Sequence, residues 1–188
     1  MVSSGMKMEN DYLLEIKEKV AGFVPRLVDL EMDLPQMVFR GSGWRFRFFE
    51  RPVLLDDDVM SNLIESSSRT FGSGFFVKFS RSSDLNSVLV IDNSCVGREF
   101  DSVAGAYEDN LMGLGYPVIF GDLEGRWIGF ESVCEELGVL AVRDSIQAHE
   151  FISNLGEGLI SVRDLQAWAV DGGDLEKAAR AFLAAYND

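Results

Sequence analysis

The chain predicts an α+β fold: a single domain with an antiparallel or mixed sheet and N-terminal, middle and C-terminal helices. Helical periodicity marks both ends of the sequence, and runs of strand-like segments lie between them. At 188 residues the length suits one domain able to bury most of its apolar surface. Residues 1–9 are read as a disordered or expression-derived tail and residues 10–188 as the domain.

Asn10 is placed to cap a first helix, DYLLEIKEKVAGF, with Tyr12, Leu13, Ile16, Val20 and Phe23 on one face. Glu15 and Lys19 are spaced as an i,i+4 pair, and Gly22 and Pro25 signal the stop. MVFRGSGWRFRFFERP reads as a hairpin with a Gly-Ser-Gly turn. In its second strand Trp44, Phe46 and Phe48 share one side, and Arg45 and Arg47 the other. Asp56 caps a second helix whose stripe is Val59, Met60, Leu63 and Ile64. FFVKFS and SVLVID are strand-like, the latter apolar enough for a central strand covered on both faces.

FDSVAGAYEDNLMGLG looks helical. YPVIFGDLEGRWIGFES reads as two strands around a GDLEG turn, and LGVLAVR as a third beside them, making a meander. Three helical stretches close the chain: SIQAHEFISNLG, LQAWAV after the capping pair Ser161 and Asp164, and LEKAARAFLAAY after Asp174.

A formal net charge of −14 argues against nucleic-acid or anionic-membrane partners and for a basic one. Residues 1–98 hold 12 basic and 14 acidic groups, residues 99–188 hold 5 and 17, so the excess lies in the second half. No leader pattern or bilayer-length apolar run is present, and a cytoplasmic location is expected.

Candidate chemistry is sparse. Asp56, Asp57 and Asp58 suggest a cation site only superficially, because successive residues at a helix start point in different directions and capping accounts for them. Asp92 at a strand end, Cys95 and the lone histidine, His149, can be assembled on paper into a nucleophilic site. No family motif surrounds them, a turn-forming Asp and a buried Cys explain two of them, and Cys95 with Cys134 is too few for a metal centre. GSGWRF and GSGFFV do not continue as phosphate loops. The aromatics of WRFRFF suit a packed sheet face better than stacking on single-stranded nucleic acid. No metal or other cofactor is expected.

The segment 125–144, GRWIGFESVCEELGVLAVRD, raises a sharper possibility. Alternation puts Ile128 and Phe130 on the buried side of a strand and leaves Trp127 partly available. Asp122 and Glu124 precede it, and Glu131, Glu135 and Glu136 follow. A stripe of carboxylates about an aromatic anchor would suit a basic surface, the two turns lying roughly 17–20 Å apart. The competing reading folds Trp127 under a neighbouring helix. Glu108 and Asp109 extend the candidate binding set.

This segment, a tryptophan-led strand, an acidic break and an apolar strand, resembles the C-terminal hairpin of many small bacterial immunity proteins. Those neutralise the toxin of a contact-dependent or type VI system. The resemblance implies an inhibitor that occludes a basic toxin domain, with no catalytic residues of its own. An enzyme assembled from Asp92, Cys95 and His149, and a scaffolding module that self-associates through the C-terminal helices, are the alternatives.

Overall fold

The computed structural model describes residues 3–53, 56–79, 81, 84–91, 116–155, 158–173 and 175–186, with side chains from residue 11 onward apart from residue 57. The elements are α1 (Ser3–Leu27), β1 (Trp44–Glu50), α2 (Asp57–Phe71), β2 (Phe75–Phe79), β3 (Val88–Ile91), β4 (Val118–Asp122), β5 (Trp127–Glu131), β6 (Leu137–Arg143), α3 (Ile146–Asn154), α4 (Val162–Asp171) and α5 (Glu176–Ala185). This is the expected α+β arrangement. One sheet runs in the order β1-β6-β5-β4-β2-β3, and every pairing in it is antiparallel.

Strand alternation sorts the sheet's side chains into two apolar layers. Trp44, Phe46 and Phe48 of β1, Phe76 of β2, Ile128 and Phe130 of β5 and Val139 of β6 face α1, α4 and α5. Phe49, Phe75, Val77, Phe120, Trp127 and Leu140 face α2 and α3. Helices therefore cover both faces, which is why β4, β5 and nearly all of β6 are buried at every position. Alternation predicts two sides; it does not say that only one is dry.

The helix ends show the expected chemistry, with differences. Asp56 Oδ1 accepts from the Val59 backbone N–H at 3.0 Å, and α2 ends on left-handed Gly72. Ser161 and Asp164 form a reciprocal capping box on α4, and their hydrogen bonds hold the Asp164 carboxyl below its usual range. Helix α1 starts at Ser3, not after Asn10, and runs past Gly22 to Leu27 with Pro25 inside it. Lys19 pairs with Glu124 at 2.6 Å, not with Glu15. Leu175 occupies the N-cap of α5 without a side-chain bond. Asp174 and the helix expected at FDSVAGAYEDNLMGLG lie outside the described residues.

Two strand expectations are corrected. The hairpin across Gly41–Gly43 does not form: Phe39 bridges to Val28, and β1 pairs with β6. Gly41 and Gly43 instead take positive φ angles of 85° and 78° that turn the chain into β1. β3 is terminal among the described strands. Its apolar character has another origin: Val88 and Val90 join one layer while Leu89 and Ile91 join the other. The outer side of β1 is closed where Phe48 and Ile160 exchange N–H···O bonds of 2.8 Å each, which blunts an otherwise free edge.

The close approach of aromatic rings to the backbone explains two glycines. Phe120 lies directly opposite Gly129, and a Cβ on Gly129 would sit 2.2 Å from the Phe120 ring. A Cβ on Gly138 would sit 2.1 Å from Phe49. Phe120 is held by Phe49, Phe75 and Trp127 at centroid distances of 5.6, 6.2 and 6.2 Å, so the ring has nowhere to move. Gly129→Ala is therefore expected to cost about 1–3 kcal/mol by overpacking, seen as a lowered Tm that Phe120→Leu in the same chain partly restores. An unchanged Tm in Gly129→Ala would show that Phe120 does not cross the strand.

Candidate functional site

Trp127 is fully buried, which corrects its reading as an available anchor. Its ring stacks on Phe151 of α3 at 5.4 Å and lies beside Phe75 at 5.7 Å, and its indole N–H donates to Ser67 Oγ of α2 at 2.8 Å. The indole is the centre of the α2/α3 layer, with its polar atom satisfied internally.

Two of the proposed partner-binding carboxylates are likewise interior. Asp122 is buried; its Oδ1 accepts from the Arg126 backbone N–H at 2.5 Å and the Trp127 N–H at 3.3 Å. Its Oδ2 accepts from Arg126 Nε at 2.5 Å. The side chain thereby closes the turn that left-handed Gly125 makes possible. Glu131 is buried at the other end of β5, accepting from the Val53 N–H at 2.9 Å and from Tyr116 Oη at 3.2 Å. Neither faces a partner.

Among the described residues, three further carboxylates of the second half are held in ion pairs. Glu124 pairs with Lys19, Asp144 with Arg45 at 2.7 Å, and Glu176 with Arg180 at 2.5 Å. Net charge is a sum over the sequence and is blind to these pairings, two of which join distant segments. Glu108 and Asp109 lie outside the described residues.

What survives is the corner between β5 and β6. After buried Ser132, Val133 and Cys134 are exposed, Glu135 is half-buried and Glu136 exposed. Glu50 lies opposite Leu137 in the β1–β6 register, and the Arg51 N–H donates to the Glu136 carbonyl at 3.0 Å. Glu50, Arg51, Glu136, Leu137 and Leu175 line a groove of about 390 Å³. Arg81 draws the preceding loop into place, bonding the Leu30 and Met32 carbonyls and pairing with Asp33 at 3.0 Å.

Burial, the negative field of Asp33 and that of Glu136 push the Glu135 carboxyl above its ordinary range, against the opposing influence of Lys177 and Arg51. The corner thus sets carboxylates among Arg51 and Lys177, beside an exposed valine and a leucine-lined groove. The alternating strand pattern indicated the acids, but Glu50 and Asp33 come from remote segments that spacing cannot connect.

Of the enzymatic candidates, only His149 lies among the described residues. His149 is exposed on α3 with Nδ1 2.9 Å from the Ser145 carbonyl of its own first turn; Asp92 and Cys95 lie outside the described residues. Among the described residues no cluster of His, Cys, Asp or Glu has metal-binding geometry, and no helix is long and apolar enough to cross a membrane. Lys78, overlooked in the sequence, is buried on the α1 side of the sheet and donates to Ser87 Oγ at 2.8 Å; burial lowers its pKa while Asp84 favours its charge. Comparison with protein families, curated proteins and solved structures finds no match.

Two outcomes follow from this geometry. Arg126→Gln leaves the buried Asp122 carboxylate without its ion pair; since the Arg126 side chain is 30% exposed, a loss near the lower end for such pairs, about 3 kcal/mol, is expected in denaturant unfolding. A loss under 1 kcal/mol would mean that water reaches Asp122. For Glu135, a folded pKa above the unfolded value means that ionisation costs stability: the cost is absent below the unfolded pKa and complete above the folded one. Glu135→Gln should therefore raise Tm at neutral pH, with the gain vanishing in acid; a gain that persists at low pH would contradict the assignment.

Proposed function

We propose that this protein acts by binding, as a cytoplasmic inhibitor that docks a basic protein partner at the β5–β6 corner. The partner fits best as a toxin domain, in the manner of the immunity proteins that residues 125–144 resemble. The carrying observation is the exposed acidic break: Glu50 and Glu136 are exposed on the groove, and half-buried Glu135 is made costly to ionise first by burial and then by Asp33 and Glu136, with Lys177 and Arg51 opposing. A cation brought against Glu50, Glu135 and Glu136 adds to the partial neutralisation that Arg51 and Lys177 already give, which favours a basic partner at this corner.

Exposed Val133 and the Leu137–Leu175 groove give a docked side chain apolar area to cover. The anchor is therefore the exposed break itself, and Trp127 serves it only by fixing β5. Toxin domains that act on nucleic acid carry basic surfaces, and an acidic inhibitor is steered to them at long range.

Co-expression with the polypeptide encoded beside this chain tests the proposal. Growth should be restored by the wild type and lost with Glu135→Lys plus Glu136→Lys. In purified components the double reversal should slow association by about tenfold or more at low ionic strength while the variant stays folded, and added salt should slow the wild type toward the variant. An unchanged association rate, or wild-type binding indifferent to salt, would exclude this corner as the docking surface.

A further inference from the structure

At the opposite end of the sheet the charge is reversed. Between α1 and the β4–β5 turn lies a groove of about 450 Å³ lined by Lys19, Phe23, Arg26, Leu27, Glu124, Gly125 and Arg143. Its volume falls in the range of small-ligand sites. Three cations face one carboxylate in a molecule whose net charge is −14, and that carboxylate, Glu124, is held by Lys19 at 2.6 Å.

The neighbouring acids are committed elsewhere: Asp144 to Arg45 at 2.7 Å, Asp29 to Arg40 at 3.2 Å and Asp122 to Arg126 at 2.5 Å. Among the described residues neither Arg26 nor Arg143 meets a carboxylate. Arg143 is nonetheless placed. Its guanidinium carbon lies 4.4 Å from the centroid of the Trp44 ring, and the Trp44 indole N–H is anchored on the Arg40 carbonyl at 3.0 Å. Stacking on an indole fixes a guanidinium's plane without neutralising it, and leaves its N–H groups free to donate.

The floor is apolar. Gly125 packs so closely that a Cβ there would lie 2.7 Å from Leu27 and 3.4 Å from the Phe23 ring. Two unneutralised guanidiniums match the charge of a phosphomonoester dianion, whose oxygens accept the paired N–H donors of arginine.

We propose that this groove binds a small organic phosphomonoester, its phosphate held between Arg26 and Arg143 and its carbon skeleton lying on Phe23 and Leu27. The site is separate from the β5–β6 corner and stands whether or not that corner docks a partner.

The test is calorimetric titration of the full chain with phenyl phosphate, inorganic phosphate and benzenesulfonate, with amide spectra of Gly125 and Arg143 and the Trp44 indole signal locating the site. Phenyl phosphate should bind saturably, more tightly than inorganic phosphate, which lacks the apolar part, and than benzenesulfonate, which carries one charge. Arg26→Gln and Arg143→Gln should each weaken it by about tenfold or more.

Glu124→Gln should strengthen binding, because it removes the groove's one carboxylate among the described residues and frees Lys19; a damaged fold would not produce that gain. No saturable binding of phenyl phosphate at millimolar concentration would overturn the proposal. So would affinity indifferent to both arginine substitutions, benzenesulfonate binding equally well, or spectral changes confined to the β5–β6 corner.

Discussion

Burial of both faces of one antiparallel sheet is the constraint from which the rest of this structure follows. Trp127, locked between Phe75, Phe120 and Phe151, fills one face. Phe48 with Phe182 and Tyr186 fills much of the other. Tyr186 sits inside this second layer, its hydroxyl donating to the Gln36 carbonyl at 2.5 Å and accepting from the Val38 N–H at 3.3 Å, and burial pushes its phenol well above the usual range. It ties the end of α5 to the loop that follows α1. With both faces covered, the exposed polar groups among the described residues lie at strand ends, in loops and on the outer sides of the helices, while Lys78 is buried within the sheet.

The two ends then divide the charge. Where β4 turns into β5 and β6 runs out, Arg26 and Arg143 are left over after the local ion pairs form. Where β5 turns into β6, Glu50 and Glu136 line a small groove with Arg51, and Glu135 lies in the same turn. The polarity comes from the meander itself: antiparallel strands bring alternate turns to the same end, so residues distant in sequence collect in two groups. A long-range field of this kind orients an approaching charged partner before contact is made.

The meander of β4, β5 and β6 was legible because each strand is a short apolar run and each break between them carries turn chemistry, as in the Asp122–Gly125 turn. The caps at Asp56 and Ser161 were legible for the same local reason. The pairing of β1 with β6 was not: Arg45 and Asp144 meet across 99 positions, and the nearby glycines offered a hairpin that looked sufficient. Period-two alternation named the two sides of β5 correctly, yet could not reveal the helices over the Trp127 side.

The candidate site was legible in part. Glu135 and Glu136 were visible as an acidic break, whereas Asp122 and Glu131 looked identical to them in sequence and proved to be interior hydrogen-bond acceptors. Charge counting also missed the arginine groove, since a local excess of two cations disappears inside a strongly acidic total. Ion pairs between remote segments decide which charges remain, and those pairs exist only once the fold is formed.

The most direct test of the buried sheet is the solvent access of Trp127 in a protein carrying Trp44→Phe and Trp168→Phe, so that Trp127 is the single tryptophan. A sheet buried on both faces gives emission characteristic of an apolar environment and almost no quenching by acrylamide until the chain unfolds. Emission at the wavelength of a hydrated indole, with efficient quenching in the folded protein, would show an open sheet face and contradict it.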